Sequence, residues 1–517
     1  MSPIEYYWQY INEICPQINS DLFSRLVAEN KDTEWDEPES SRDLNNFAVM
    51  ALIEAEKTED LSLRSLNLEM ALEAFNRGVE LANHPLCVAH LALVHSLIGA
   101  RETATQMAFS IFLDVVHNAY NDSEKLQMGL VYLPPKKMGR SEQMQQLLQA
   151  EDGREQALLL LTEVMCSSQL VFYNAAGLRF LELAVKIAPN SVIVNLQLGI
   201  SNLVNRRWEG LLYLQRARKL APDYAPTVQA LYLAYRQLNQ TAITDFWYNI
   251  AREQDTNSLP WSWAKLQSDS PFSYLPFEND LLLTVESSFQ SLVTSVLLAQ
   301  GDWFEAEMEL LRNQLEPGMT VIDVGANVGV YTFSAARKVG ETGKVLAVEP
   351  FSGCVECLQE TCRVNKLSWV KVCPGAASDR LSTARLALHN SSELNEVVMD
   401  ESLESGNFAT ISCFTLDSLI EQENIKGVDW LKIDAEGHEM QVLLGSDRLL
   451  TEFAPSILYE NIAAAKGSNT PVAEFLISRG YRLFRYQPYL QNLIPINSLE
   501  ELQGNLNVIA LPPTKIM

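Results

Sequence analysis

The sequence predicts two domains of different fold class: an all-α helical-repeat domain followed by an α/β domain with a mostly parallel sheet. Three observations support this prediction. The chain has 517 residues, whereas one hydrophobic core rarely serves more than about 250 to 300. From about residue 44 to residue 254, apolar residues recur with the period of an amphipathic helix. Beyond residue 320, short apolar runs typical of buried strands alternate with helical segments.

Charge and composition disfavour several kinds of partner. The chain has 39 Lys and Arg residues against 65 Asp and Glu residues, a net charge of −26. Nucleic acids and anionic membranes are bound largely through Lys and Arg, so we expect neither as a partner. No run approaches the roughly 18 to 20 apolar residues that span a bilayer, and the first residues do not resemble a secretion signal. We therefore expect a cytoplasmic protein without a membrane span.

The helical-repeat domain is predicted to cover residues 1–254. The sequences AVKIAPN, beginning at Ala184, and ARKLAPD, beginning at Ala217, lie 217 − 184 = 33 residues apart. This recurrence resembles the tetratricopeptide repeat, a helix-turn-helix unit of about 34 residues. Such units stack into a solenoid whose concave side can bind a protein partner or the substrate. Simple packing against the neighbouring domain is the alternative, and the sequence does not decide between the two.

Residues 255–284 are predicted to be a linker, because three prolines lie there among Ser, Asp and Asn and interrupt the helical period. The second domain then covers residues 285–517. After a helical stretch, five apolar runs predict its strands, at 321–324, 345–348, 370–372, 430–433 and 457–459. Strands that alternate with helices form a mostly parallel sheet with helices on both faces.

A glycine turn follows the first of these strands. It reads DVGANVG from Asp323 to Gly329 and runs into a predicted helix. Gly325 and Gly329 permit a tight turn and allow a ligand to approach the backbone, including that of Ala326 and Asn327. A dinucleotide-binding turn has glycine where this chain has Asp323. The acid disfavours a pyrophosphate and suits a cationic amino group, such as that of S-adenosyl-L-methionine.

Two further places fit a cofactor that contains adenosine. Glu349 ends the second strand, 349 − 329 = 20 residues after the turn, where a carboxylate accepts hydrogen bonds from ribose hydroxyls. After the third strand, Ala377 and Ser378 lie in the sequence GAASD. These two residues are predicted to contact the adenine edge, with an ordinary turn as the alternative.

The motifs of the second domain together resemble those of the FkbM-type methyltransferases. They are VIDVGANVG from Val321, VEP from Val348, TLDSL from Thr415, LKIDAEGHE from Leu431 and LLG from Leu443. The resemblance covers roughly residues 285–512. It implies a Rossmann-like, class I methyltransferase domain that depends on S-adenosyl-L-methionine. Members of this family mostly methylate hydroxyl groups of small molecules or sugars.

The resemblance also implies which residues form the site. It implies that the cofactor is bound by Asp323, Gly325, Asn327, Gly329 and Glu349. It also implies that Asp434 and Glu436 belong to the family's signature after the fourth strand. Ligands bind outside the carboxyl ends of parallel strands, so Asp434 and Glu436 are predicted to orient or deprotonate the acceptor hydroxyl. His438 is a third candidate base, because an ordinary histidine pKa of about 6.5 suits proton transfer. Helix capping by Asp434 and plain solvation of Glu436 are the alternatives.

No metal site is predicted. The closely spaced cysteines between residues 354 and 362 lack a second CxxC pair, and no His pair supplies further ligands at a zinc-binding spacing. A divalent cation held by Asp434, Glu436 and Glu460 is conceivable, because hard cations favour carboxylates. The spacing of these three residues does not require it.

The predicted function is methyl transfer from S-adenosyl-L-methionine to a hydroxyl of a saccharide or secondary metabolite. Two rivals remain. One is a repeat-based scaffold whose C-terminal domain keeps the fold without turnover, and the other is an enzyme that methylates nitrogen or protein acceptors. The presence of all the polar site residues weighs against the scaffold. The sequence DAEG stands where many amino-group methyltransferases have Asn-Pro-Pro-Tyr, which favours oxygen as the acceptor.

Overall fold

The computed structural model describes every residue except 1, 17, 82–83, 120–124, 136–139, 167–174, 267–269, 390, 399–406, 462–466 and 516–517. The chain forms two compact units, one of residues 1–198 with 488–490 and the other of residues 199–487 with 491–517. The domain bounds inferred from the sequence stay a prediction. Among the described helices, none combines the length and the apolar character that a bilayer span requires.

The described N-terminal part of the chain is mostly helical, in agreement with the sequence pattern. Its helices are α1 (Pro3–Ile14), α2 (Ser20–Asn30), α3 (Ser41–Lys57), α4 (Leu61–Leu81), α5 (Pro85–Leu97), α6 (Arg101–Ala119), α7 (Arg140–Gln149), α8 (Gly153–Cys166), α9 (Ala175–Ile187), α10 (Val192–Val204), α11 (Gly210–Leu220), α12 (Ala225–Gln237) and α13 (Thr241–Arg252). The starts of α10 and α12 are 225 − 192 = 33 residues apart, which matches the internal repeat. The tetratricopeptide arrangement itself stays a prediction.

Local sequence signals explain where helices begin. The Ser2 side chain accepts a hydrogen bond from the Glu5 amide, and the Glu5 carboxylate accepts one from the Ser2 amide at 2.8 Å. This capping box satisfies two amides that have no partner within the helix. Pro3 occupies the first turn of α1, where its missing N–H costs nothing.

An extended segment, residues 128–134, lies buried within the first unit and belongs to no described sheet. Helix side chains satisfy its backbone instead. The Leu130 amide donates to Asn46 at 2.8 Å and the Leu130 carbonyl accepts from Asn45 at 2.9 Å. The Tyr7 hydroxyl donates to the Val131 carbonyl at 2.8 Å and accepts from the Val131 amide at 3.0 Å. Burying these backbone groups without hydrogen-bond partners would cost free energy, and the polar side chains offset this cost by supplying the partners.

The second unit contains an eight-stranded mixed sheet. Its strands, in spatial order, are β13 (Asn492–Pro495), β12 (Arg482–Gln487), β14 (Asn507–Leu511), β11 (Ser456–Glu460), β10 (Trp430–Ile433), β3 (Thr320–Val324), β4 (Lys344–Glu349) and β5 (Val370–Pro374). Neighbours from β11 to β5 pair in parallel, and these are the five predicted strands. The pairs among β11, β14, β12 and β13 are antiparallel, which the sequence pattern did not predict.

Smaller elements complete the second unit. A hairpin joins β1 (Ser273–Phe277) and β2 (Leu281–Val285), and a four-stranded sheet has the order β6 (Ala376–Ala377), β9 (Phe408–Phe414), β7 (Ser382–Ala387) and β8 (Glu396–Val398). The remaining α-helices are α14 (Leu292–Gln300), α15 (Glu307–Gln314), α16 (Val330–Val339), α17 (Ser352–Asn365), α18 (Leu416–Gln422), α19 (Glu439–Leu444) and α20 (Thr470–Ser478). Apolar residues of the central strands, such as Ile322, Leu431 and Ile457, are fully buried in one core.

Candidate active site

Four neighbouring parallel strands, β4, β3, β10 and β11, end at one edge of the large sheet. Parallel strands present their carboxyl ends on the same side, where open α/β sheets bind ligands. The chain places an acidic residue at or next to the end of each strand: Glu349, Asp323, Asp434 and Glu460. The candidate active site is therefore an acidic edge contributed by four strands.

The glycine turn lies directly against the segment that follows β10. Gly325 has a φ of +73°, and a Cβ atom added to it would come within 1.6 Å of the Asp434 carbonyl oxygen. Only glycine fits this approach without a shift of the backbone. The amides of Gly325 and Ala326 donate to the Val348 carbonyl at 3.0 and 3.1 Å, which fixes the turn against β4. Gly329 also has a positive φ, +101°, at the start of α16.

Glu349 supports the turn from the end of β4. Its carboxylate accepts hydrogen bonds from the amides of Asn327 and Phe351, both at 2.8 Å. Burial raises the pKa of Glu349 to about 7, and these two amide hydrogen bonds oppose the rise. Each carboxylate oxygen can accept a second hydrogen bond, so the two amides leave capacity for a ribose hydroxyl. The Asn327 side chain donates to the Ser392 hydroxyl at 3.2 Å.

A buried lysine joins the two central acids. Lys432 on β10 places its Nζ 3.0 Å from Asp434 Oδ2 and 3.7 Å from Asp323 Oδ1. The other oxygen of Asp323 accepts a hydrogen bond from the Thr332 hydroxyl at 2.6 Å. Burial raises the pKa of Asp323, while the charge of Lys432 acts in the opposite direction. Burial alone would lower the pKa of Lys432, but the charges of Asp434 and Asp323 outweigh it and raise this pKa above its ordinary value.

Asp434 also belongs to a cluster of three carboxylates. One carboxylate oxygen of each of Asp434, Glu436 and Glu460 lies within 4.8 Å of the others. Burial and the neighbouring charge of Asp434 raise the pKa of Glu436 to about 8 and that of Glu460 to about 10. Hard cations bind such oxygens, but acidic clusters are common in proteins without an ion. The cluster alone does not define a metal site.

His438 and Ser378 contact each other. The Ser378 hydroxyl lies 3.0 Å from His438 Nε2, and both residues are buried. Burial lowers the pKa of His438, so its neutral form is favoured. Ala377 lies in β6, paired with Phe414 of β9. The structure thus places a predicted cofactor residue, Ser378, in contact with a predicted base, His438.

Sequence reasoning missed a second layer around Asp434. Glu305 accepts hydrogen bonds from the Tyr331 hydroxyl at 2.6 Å and from the Asn507 side chain at 2.9 Å. Burial and the charge of Asp434 raise the pKa of Glu305. Lys432 was missed as well, although a charged residue between Leu431 and Ile433 in an apolar strand is itself a signal, because unpaired lysines are rarely buried.

Similarity to known proteins was found in part of the second unit. A family model described as the methyltransferase FkbM domain matches residues 323–483. No curated protein matched the chain. The resemblance to FkbM-type methyltransferases is therefore confirmed for this segment, and the match supports methyl transfer as the class of reaction.

Solved structures of methyltransferases are also similar to this chain. A methyltransferase FkbM from Methylobacillus flagellatus is 15% identical with a TM-score of 0.26, and the match covers 43% of this chain and 54% of that one. A SAM-dependent methyltransferase from Aquifex aeolicus is 16% identical with a TM-score of 0.23, covering 40% and 88%. A SAM-dependent O-methyltransferase from Thermotoga maritima is 13% identical with a TM-score of 0.22, covering 40% and 64%. The chain thus spans about half the length of the Methylobacillus protein.

Proposed function

We propose that the second domain transfers a methyl group from S-adenosyl-L-methionine to a hydroxyl group of a saccharide or secondary metabolite. One observation carries the proposal. Asp323, Glu349 and Asp434 lie at the carboxyl ends of adjacent strands, within the segment that the methyltransferase family model matches. We further propose that the helical repeats bind the acceptor or a protein partner and that the protein is cytoplasmic.

The residues at the edge fit the proposed cofactor. Asp323 Oδ1 lies 3.7 Å from Lys432 Nζ and accepts no hydrogen bond from any described residue, and we propose that it receives one from the amino group of the methionine moiety. In this proposal the backbone of the turn from Gly325 to Gly329 would lie along the ligand, and Glu349 would hold the ribose hydroxyls. When bound, S-adenosyl-L-methionine supplies a methyl group activated by a sulfonium. Ala377 and Ser378 remain proposed contacts for the adenine.

The residues after β10 would act on the acceptor. Methyl transfer is an in-line displacement, so holding the acceptor oxygen close to the methyl carbon contributes much of the rate. Asp434, fixed by Lys432 at 3.0 Å, would orient the hydroxyl. Glu436 would take the proton, because a base with a pKa near the working pH is the most effective, and burial raises its pKa to about 8. His438 is the alternative base.

The charge of the site favours some acceptors over others. Asp434, Glu436 and Glu460 form one cluster, and among the described residues Lys432 pairs with Asp434 at 3.0 Å. An acceptor that carries phosphate or carboxylate near its hydroxyl would be repelled by the charge of Asp434 and would oppose the ionisation of Glu436, whose pKa burial already raises to about 8. Both effects cost binding free energy. A neutral polyol would cause neither effect. This argument supports a saccharide or another uncharged alcohol.

The first experiment is a calorimetric titration of S-adenosyl-L-methionine into the full-length protein. We expect micromolar binding that Asp323→Asn abolishes, since the variant removes the charge and keeps the shape. Asp429→Asn is the matched control, because the Asp429 carboxylate accepts from the Thr320 amide at the opposite end of β3, at 2.8 Å. Absence of binding to the parent protein would contradict the proposed cofactor and favour a scaffold role.

A second experiment tests the reaction. Labelled methyl transfer would be measured with a panel of neutral saccharides, amines and unmodified protein extract. We expect product on a hydroxyl, with turnover lowered at least about a hundredfold in Asp434→Asn while cofactor affinity stays within about tenfold. Methylated nitrogen or protein would instead support the rival acceptor classes. Binding without any transfer across the panel would favour the catalytically silent domain.

A further inference from the structure

Lys432 is a cation built into the proposed site by the fold. It lies on β10 between two apolar residues, its side chain is 8% exposed, and its Nζ contacts Asp434 at 3.0 Å and Asp323 at 3.7 Å. The ammonium also lies 5.0 Å from the centre of the Tyr331 ring. A buried charge is costly unless it is paired. The geometry therefore makes Lys432 the shared counter-ion of two carboxylates that end neighbouring strands.

The two carboxylates have different proposed tasks. Asp323 would receive the amino group of the methionine moiety, and Asp434 would orient the acceptor. A lysine that contacts both contributes positive charge between the group proposed to hold the cofactor and the group proposed to orient the acceptor. Glu305 is the third acidic group that faces this lysine, and its carboxylate is held by Tyr331 and Asn507.

We infer that Lys432 sets how strongly the site discriminates S-adenosyl-L-methionine from its product, S-adenosyl-L-homocysteine. The two molecules share the amino acid and the nucleoside, and they differ at sulfur, which is a cation in the first and neutral in the second. Lys432 offsets part of the negative charge of Asp323 and Asp434. It thereby weakens the preference for the cation and keeps the site from becoming purely anionic. This inference rests on the proposed function.

The test compares the dissociation constants of the two molecules by calorimetry, which requires no acceptor. In Lys432→Met, the ratio of the S-adenosyl-L-homocysteine constant to the S-adenosyl-L-methionine constant is expected to rise about tenfold, or about 1.4 kcal/mol. Lys432→Arg keeps the charge and should keep the ratio near that of the parent. Lys344→Met is the matched control, because Lys344 pairs with Glu423 at 3.6 Å at the start of β4.

A purely structural role has a different signature. If Lys432 only supported packing, Lys432→Met would weaken the binding of both molecules by the same factor. The ratio of the two dissociation constants would then stay unchanged, and this result would overturn the inference. Should Lys432→Met fail to fold, Asp434→Asn is the second test. Removing this acid leaves more of the lysine charge uncompensated, so the ratio of the two dissociation constants is expected to fall rather than rise. An unchanged ratio in Asp434→Asn also counts against the inference. Failure of the proposed function is distinguishable, since the parent protein would then bind neither molecule.

Discussion

At the scale of single residues, the close approach of two backbone segments, at Gly325 and Asp434, determines the geometry of the site. The turn after β3 and the segment after β10 meet where Gly325 lies against the Asp434 carbonyl, so one position links the proposed cofactor turn to the proposed acceptor residue. A side chain at this position would force the two segments apart. The contact explains physically why DVGANVG needs glycine as its third residue, beyond the general tolerance of glycine for a positive φ.

Gly325→Ala tests this contact. The added Cβ would overlap the Asp434 carbonyl at 1.6 Å, and φ is +73°. Gly340→Ala is the matched control, because Gly340 has a φ of +62° and nothing lies within 4 Å of its would-be Cβ. We expect Gly340→Ala to cost about 1 to 3 kcal/mol of unfolding free energy, because its φ of +62° and ψ of −171° lie in a region that few residues other than glycine adopt. Gly325→Ala is expected to cost clearly more and to abolish cofactor binding. Urea unfolding and calorimetry measure both effects, and equal costs for the two variants would refute the contact.

Single residues also show where sequence reasoning stops. Asp323, Glu349 and Asp434 could be assigned to one edge because they end predicted strands, and the topology brings those ends together. The role of Lys432 could not be assigned, since a sequence does not show which carboxylates a buried ammonium will contact. The contact between Ser378 and His438 was hidden for the same reason, because 60 residues separate them in the chain.

At the scale of secondary structure elements, periodic segments could be predicted and segments held by side chains could not. The five parallel strands follow from apolar runs between helical segments. The buried segment 128–134 has no periodic signal, because its backbone hydrogen bonds go to side chains of distant helices rather than to a neighbouring strand. His90 is one such partner. Its Nε2 accepts from the Tyr132 amide at 3.0 Å, and its Nδ1 lies 2.8 Å from Asn45 Oδ1.

This arrangement predicts a pH dependence in the first unit. His90 Nε2 must stay unprotonated to accept from Tyr132, and burial lowers the pKa of His90 to about 3 from an ordinary 6.5. The unfolded segment therefore binds more protons than the folded one between these values. Stability is full above about pH 6.5 and falls toward pH 3 by up to about 1.4 kcal/mol for each pH unit.

Hydrogen exchange at the amides of residues 130–132 measures this effect. Between about pH 7.5 and pH 5, the protection of these amides, corrected for intrinsic exchange, should fall at least about tenfold. His90→Gln is the control, because a glutamine oxygen can accept from the Tyr132 amide and does not titrate. We expect much less pH dependence in this variant. Protection that does not change with pH in the parent protein would show that His90 does not control the segment.

At the scale of the whole molecule, the net charge of −26 leads us to expect no nucleic-acid partner. The chain has 65 acidic and 39 basic residues, and the candidate site contains a cluster of three carboxylates. Proteins bind RNA or DNA largely by neutralising phosphates with Lys and Arg, and this binding strengthens as salt is removed. We expect no binding of a labelled single-stranded RNA or a transfer RNA at about 20 mM salt, where any electrostatic attraction would be strongest.

Fluorescence anisotropy measures this binding, with a basic RNA-binding protein as the positive control. Binding that weakens linearly with the logarithm of salt concentration would reveal a local basic surface that the net charge conceals. It would also move the search for the acceptor from neutral alcohols to nucleic acid.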